Sequence, residues 1–263
     1  IDNCHHFTPD LQIGIDLGWG GILEKLKEGR EKLDESHYEF YDAEIMVVEA
    51  IIAFLERMAD ELDKLSEIER NPQLADNLKE MAVMNKKLAT KKPDTFKEVV
   101  QWMCWFSMLS RTYNRGSAGG QLDEMLKPFY EKDIKDGICT PETALELLED
   151  FFLSFNKDSD IYIGVQQGDN GQSMMLGGMD ENGNEVFNEL SKLCLKASNN
   201  LLLIDPKINL RVNKNTPIEV YELGTDLTKA GLGFPQYSND DVALPALTEL
   251  GYDYEDAVNY GMA

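Results

Sequence analysis

The stretch Val99-Val100-Gln101-Trp102-Met103-Cys104-Trp105-Phe106-Ser107-Met108-Leu109 leaves almost no polar side to face water. A helix completes a turn every ~3.6 residues, so such a run is apolar nearly all round. A helix of that kind must be an inner element, with others packed around it. It is no membrane span, because Gln101 interrupts it and it falls short of the roughly 20 residues a span requires. Its start is marked by Lys92-Pro93-Asp94-Thr95, with Glu98 following Thr95 at capping spacing.

The flanking sequence supplies packing partners. Tyr41, Ile45, Val48, Ile52, Leu55, Ala59 and Leu62 recur at alternating spacings of four and three, one apolar stripe on a helix expected over 36–67. Ser36 and Glu39 read as its capping box. Arg70-Asn71-Pro72 ends it, and Leu74, Leu78, Met81 and Leu88 mark a second helix expected to return antiparallel. Residues 1–24 read as loop leading into helix. Arg111 to Gly120 reads as a flexible loop, and Thr140-Pro141 opens a helix with Thr as cap.

Beyond residue 157 the texture changes. Ile161–Val165 is β-prone, Gln172–Gly178 reads as a strand ending in glycines, and Asp180–Asn184 as a turn. Leu201–Ile204 reads as a buried strand segment and Lys207–Val212 as an alternating strand. Thr216-Pro217-Ile218-Glu219 reads as a capping box with Pro at the first helical position. The expected class is therefore helix-rich α/β, with 1–157 mainly helical and 158–263 alternating strand and helix within one domain.

Charge and cysteine content narrow the function. The formal charge of −23 disfavours a phosphate backbone, so nucleic acid is not an expected partner, and no stretch suits a membrane. The four cysteines, Cys4, Cys104, Cys139 and Cys194, have no metal or redox spacing. A reduced, cytoplasmic setting is expected, with all but Cys4 as packing residues. Phosphate-cradling, dinucleotide, zinc and nucleophile-elbow motifs are all absent.

Six stretches in fixed order carry a resemblance. They are His6-Phe7-Thr8-Pro9-Asp10 with Gly18-Trp19-Gly20-Gly21-Ile22; Thr95 to Gln101; Gln121-Leu122-Asp123 with Leu126-Lys127-Pro128-Phe129-Tyr130; Leu176 to Gly183; Asp205 to Val212; and Gly231-Leu232-Gly233-Phe234-Pro235 through Asn239-Asp240 to Asn259-Tyr260-Gly261. Together they resemble the glycyl radical enzymes, the pyruvate formate-lyase superfamily, in its dehydratase and lyase branch. The resemblance implies an α/β barrel of which this chain forms a half-barrel of strands surrounded by long helices.

It also implies a stable radical on a glycine and a cysteine that becomes a transient thiyl and abstracts hydrogen from substrate. Neither motif occurs here: there is no Arg-Val-x-Gly-Tyr, and the Gly-Cys-Val-Glu loop is expected just past Tyr260-Gly261-Met262-Ala263. The chain alone is expected to be inactive and to hold no catalytic residue, metal or bound cofactor. In the whole protein the radical would be installed by an activating enzyme that uses S-adenosylmethionine and an iron–sulfur cluster. A small-molecule substrate and a homodimer are expected.

Matched to the resemblance, His6, Arg115, Gly116 and Gln172 are the expected substrate-binding residues. Arg115 in a dry cavity would suit an anionic group through a bidentate pair. Arg211, Asn239 and Asp240 are expected to brace the scaffold through buried hydrogen bonds. Two alternatives stand beside a lyase or dehydratase acting on C–O, C–N, C–S or C–C bonds. One is the formate acetyltransferase branch; the other is a non-catalytic truncated homologue.

Overall fold

The computed structural model describes residues 9–110, 117–156 and 172–261. His6, Arg115, Gly116 and the β-prone run Ile161–Val165 lie outside them. The chain divides into two compact units, Asp10–Asp94 and Thr95–Ala263, the latter together with Ile1–Pro9.

In the first unit, α1 (Leu11–Lys32) begins earlier than its mixed sequence suggests, because Asp10 accepts a hydrogen bond from the Ile13 N–H at 3.2 Å and caps it. α2 (Tyr38–Ile68) and α3 (Pro72–Leu88) are the expected pair. Ion pairs from Lys79 to Asp63 and Lys86 to Asp60 step in opposite directions along the two helices, which fixes them as antiparallel. Asn71 caps α3 through the Gln73 and Leu74 N–H groups. The expected Ser36 box does not form. Asp34 captures both the Ser36 N–H and its hydroxyl, making a separate 3-10 turn at Glu35–His37.

Glycines let α1 approach the turn after α3. Gly18 has φ +63, and a methyl there would lie 2.6 Å from the Lys92 nitrogen. At Gly20 a methyl would run into the Thr90 carbonyl oxygen. Backbone faces both positions, so no side chain can swing aside. Gly20→Ala is expected to destabilise this unit by about 1–3 kcal/mol, the usual cost of overpacking. Thermal unfolding followed at Trp19 reads it, and an unchanged midpoint would show that α1 can back away freely.

The second unit carries α4 (Phe96–Ser110), α5 (Leu122–Lys135), α6 (Pro141–Ser154), α7 (Glu189–Leu201) and α8 (Ile218–Lys229). It also holds α9 (Asp240–Glu249), α10 (Tyr254–Tyr260) and strands β1 (Ser117–Gln121), β2 (Ser173–Gly177), β3 (Lys207–Val212) and β4 (Gln236–Asn239). α4 buries Phe96, Val99, Val100, Trp102 and Met103, but Met108 is 40% exposed. Its burial is therefore not all round: Lys97, Glu98 and Gln101 stay half-buried, and α5 and α6 are the helices packed against it. Asp133 of α5 takes the Phe96 N–H at 2.7 Å and Thr95 takes that of Glu98, closing the helix start. Thr140 caps α6 as expected.

Three readings are corrected. Ser117–Gly120, expected as loop, pairs with β2 as a strand. Its residues have little β propensity, and the backbone ladder supplies the order instead. Leu201–Ile204 is no strand: α7 runs into it and closes with Leu202 in the left-handed region at φ 52, leaving Leu202 and Ile204 exposed. The Thr216 box is absent, because its hydroxyl accepts the Asn213 N–H and donates to Glu185, so Pro217 becomes the cap position. Among the cysteines, Cys139 and Cys194 are buried and Cys104 half-buried.

The four strands are all parallel and lie in sequence order, β1-β2-β3-β4. Parallel crossovers are right-handed almost without exception, so sequential order sends every connecting helix to one face. Gly224 of α8 accordingly sits against Leu210 and Tyr237. That face holds Met174, Leu176, Ile208, Leu210 and Val212, all buried.

Candidate functional site: the polar face of the sheet

The opposite face is built differently. Gln121, Met175, Asn209 and Gln236 are in register across all four strands. Ser173 pairs with Lys207, and Gly177 with Arg211 and then Ser238. Side chains alternate along a strand, so these residues share a face, and most are polar. Ser173, Lys207, Asn209, Gln121 and Ser238 are half-buried. Parallel sheets that are covered on both faces read as continuous apolar strands. Alternate polar positions therefore mark a face built to line a wet or ligand-holding space.

Towards the strand starts this face opens into a cavity of about 500 Å³. Ser173, Lys207, Asn209 and Gln236 of this face line it together with Ile208 and Ile204, and Phe234 with the Gly231–Gly233 turn closes one side, so the cavity sits at the strand-start edge of the sheet. Gln172 directly precedes Ser173 and is 2% exposed. Its N–H donates to Asp205 at 3.1 Å and its carbonyl accepts from Lys207 N–H at 2.7 Å, which pins the start of β2 to that of β3. Arg115-Gly116, outside the described residues, immediately precede β1 in sequence. Sequence reasoning did not single out Ser173, Asn209 and Gln236. The available signal was the alternation Lys207, Asn209, Arg211 within an otherwise apolar strand.

Two buried charged groups stand around the strand ends. Asp123, at the start of α5, accepts the Gly177 N–H at 2.8 Å, the Ser191 hydroxyl at 2.5 Å and the Glu124 N–H at 3.0 Å. Burial pushes its carboxyl up to about 7 against the pull of those donors. Burial likewise raises the Cys194 thiol well above its ordinary value, with the Asp123 charge adding to it.

Arg211, 1% exposed, donates through Nε and Nη2 to both oxygens of Asp240, each at 3.0 Å. Its Nη1 reaches the Val258 carbonyl at 3.0 Å. Burial raises the Asp240 carboxyl more than the Arg211 guanidinium lowers it. The expected bracing role of Arg211 and Asp240 is thus present as a bidentate buried pair. Asn239 caps α9 through the Asp241 N–H. Among the described residues no group of three or more His, Cys, Asp or Glu is placed to hold a metal.

Sequential parallel strands, helices on one face and a polar opposite face are the geometry of a barrel wall seen from both sides. Residues 3–263 match the pyruvate formate lyase-like family. This chain belongs to that family of glycyl radical enzymes. It is 28% identical to the (2S)-3-sulfopropanediol dehydratase of Klebsiella oxytoca, over 98% of this chain and 34% of that protein. It is 26% identical to the isethionate sulfite-lyase of Bilophila wadsworthia, over 98% of this chain and 33% of that protein. The glycerol-bound B12-independent glycerol dehydratase of Clostridium butyricum superposes with a TM-score of 0.88 at 24% identity, over 98% of this chain and 34% of that one, which establishes the fold. The chain spans about a third of the length of these relatives. Among the described residues no helix is long and apolar enough to cross a membrane.

Proposed function

We propose that this chain is the substrate-cavity portion of a glycyl radical lyase or dehydratase. The enzyme would cleave a C–O, C–N, C–S or C–C bond of a small anionic metabolite. The observation that carries this reading is the polar sheet face with the cavity at its strand starts. Radical chemistry needs a closed space that excludes solvent and stray hydrogen donors, and a barrel interior supplies one. Its reactive groups, a thiyl-forming cysteine and a radical glycine, would lie in parts of the protein outside these 263 residues, in keeping with the share of its relatives that this chain spans.

In this reading Arg115 pairs with the anionic group, His6 bonds a substrate hydroxyl, and Gly116 and Gln172 shape the wall. The first relative, named for a sulfo-bearing diol, supports an anionic substrate. A radical-S-adenosylmethionine activating enzyme, a homodimeric assembly and a cytoplasmic setting complete the proposal.

The test is anaerobic activation of the whole gene product with such an activase. A glycyl doublet in the electron paramagnetic resonance spectrum is expected, with turnover of a sulfonate- or carboxylate-bearing alcohol. Arg115→Leu should raise KM for an anionic substrate at least ~tenfold, as loss of a charge-assisted bond implies, and leave the doublet unchanged. A doublet-free protein after thorough activation rules the reading out and favours a non-catalytic homologue.

A further inference from the structure

We propose that Arg211 and Asp240 form a positioning device that fixes the end of α10 against the polar face of the sheet, and so holds the geometry of the reaction site. This rests on the reading above. The pair joins four separate pieces of chain. Arg211 comes from the end of β3, and Asp240 is the first residue of α9. Asp240 Oδ2 also accepts the Met179 N–H, from the loop after β2, at 3.0 Å. The third arm of the guanidinium takes the Val258 carbonyl in the last turn of α10. That carbonyl is one of those a helix end leaves without an internal partner, so the bond anchors the end of α10 in particular.

By strand alternation Arg211 lies on the same face as Asn209 and Lys207, the face that carries the cavity. α9 and α10 are thereby held at its far end, and an apolar cluster of Leu244, Ala257 and Val258 with Met179 and Leu247 fills the join. Gly178 makes the arrangement possible. At φ +102, a methyl there would lie 2.7 Å from the Arg211 Nε and 2.9 Å from its Cζ. The backbone thus presses flat against the guanidinium and leaves it a single pose.

Energetics favour placement over mere bracing. A buried ion pair is seldom more stabilising than apolar residues of the same size. What it supplies is direction: three donors in one rigid plane fix two helix segments relative to one strand. Val258 lies in the last turn of α10, so a shift at the clamp passes directly into the end of that helix. Misplacing a reacting group by about 1 Å costs on the order of 10²-fold in rate.

Two variants test this. Arg211→Lys keeps the charge but has no planar fork, and Gly178→Ala crowds the guanidinium without removing any charge, while also straining the backbone at φ +102 next to the Met179 N–H. In the whole protein, hydrogen exchange of the α10 amides should accelerate at least ~tenfold in both, as loss of a charged hydrogen bond implies, while β2 and β3 keep their protection. Unchanged α10 protection, or an equal loss across the sheet, overturns the proposal. In the activated whole protein, kcat per spin-counted glycyl radical should fall roughly 10–100-fold with KM nearly constant. Equal kcat per radical also overturns it. A wild-type protein without any glycyl doublet instead refutes the functional reading, and the exchange result still decides whether the clamp sets α10.

Discussion

Arg211→Met is expected to destabilise the sheet-bearing unit by about 3–5 kcal/mol, the cost of leaving one member of a buried pair uncompensated. Asp240 is 0% exposed and would keep only the Met179 N–H as a partner. Its carboxylate would then either stay charged in a dry site or take up a proton, and both are unfavourable at neutral pH. The Val258 carbonyl would lose its donor as well. The double variant Arg211→Met/Asp240→Leu removes the stranded charge. It should recover roughly half the loss, the remainder being the unpaired Met179 N–H and Val258 carbonyl at about 1–3 kcal/mol together. Urea unfolding followed by tryptophan fluorescence measures all three proteins. Single and double variants of equal stability would show that the loss came from packing and not from charge.

That pair illustrates which parts of the molecule the sequence disclosed. The stripe from Tyr41 to Leu62 is local and periodic, so α2 could be read directly, as could the strand Lys207–Val212. Arg211 and Asp240 are 29 residues apart, and nothing periodic connects them. Only the family resemblance marked both as bracing residues, and only the fold shows that they brace one another. Where a local signal misled, a competing acceptor decided, two residues away for Ser36 and 31 residues away for Thr216. Ser36 looked like a cap until Asp34 claimed its hydroxyl, and Thr216 looked like one until Glu185 did.

The apolar run Leu201–Ile204 has no period of its own, and α7 simply extended into it. Ser117–Gly120 has almost no side-chain signal for a strand and forms one through its ladder to β2. The polar sheet face was legible in principle at Lys207, Asn209 and Arg211. Seeing it as one surface needed the register that aligns Asn209 with Met175 and Gln236. Of the expected substrate residues, only Gln172 lies among those described, and its backbone joins two strand starts beside the cavity.

A second large effect is expected with pH, through Asp123. Its carboxyl is held up to about 7 in the folded chain by burial, whereas an unfolded aspartate titrates near ~3.9. Between those values the folded state keeps a proton that the unfolded state has released. Linkage then makes stability fall as pH rises. The contribution is fully present below about pH 4, is lost progressively through pH 7 and is gone above it.

From pH 5 to pH 8 the loss amounts to about 2–3 kcal/mol for a shift of this size. The groups facing Asp123 are the Gly177 and Glu124 N–H, the Ser191 hydroxyl, the Glu124 carboxylate and the Cys194 thiol. Cys194 is itself pushed well above its ordinary value, so it adds no titration in this window. Asp123→Asn keeps the shape and an acceptor for Gly177 and Ser191 but cannot titrate. Other acidic groups drift with pH in both proteins, so the difference between their urea-unfolding free energies isolates Asp123. That difference should shrink or invert steadily from pH 5 to pH 8. Parallel curves would mean that the three donors hold Asp123 ionised throughout, and that its burial is already offset at pH 5.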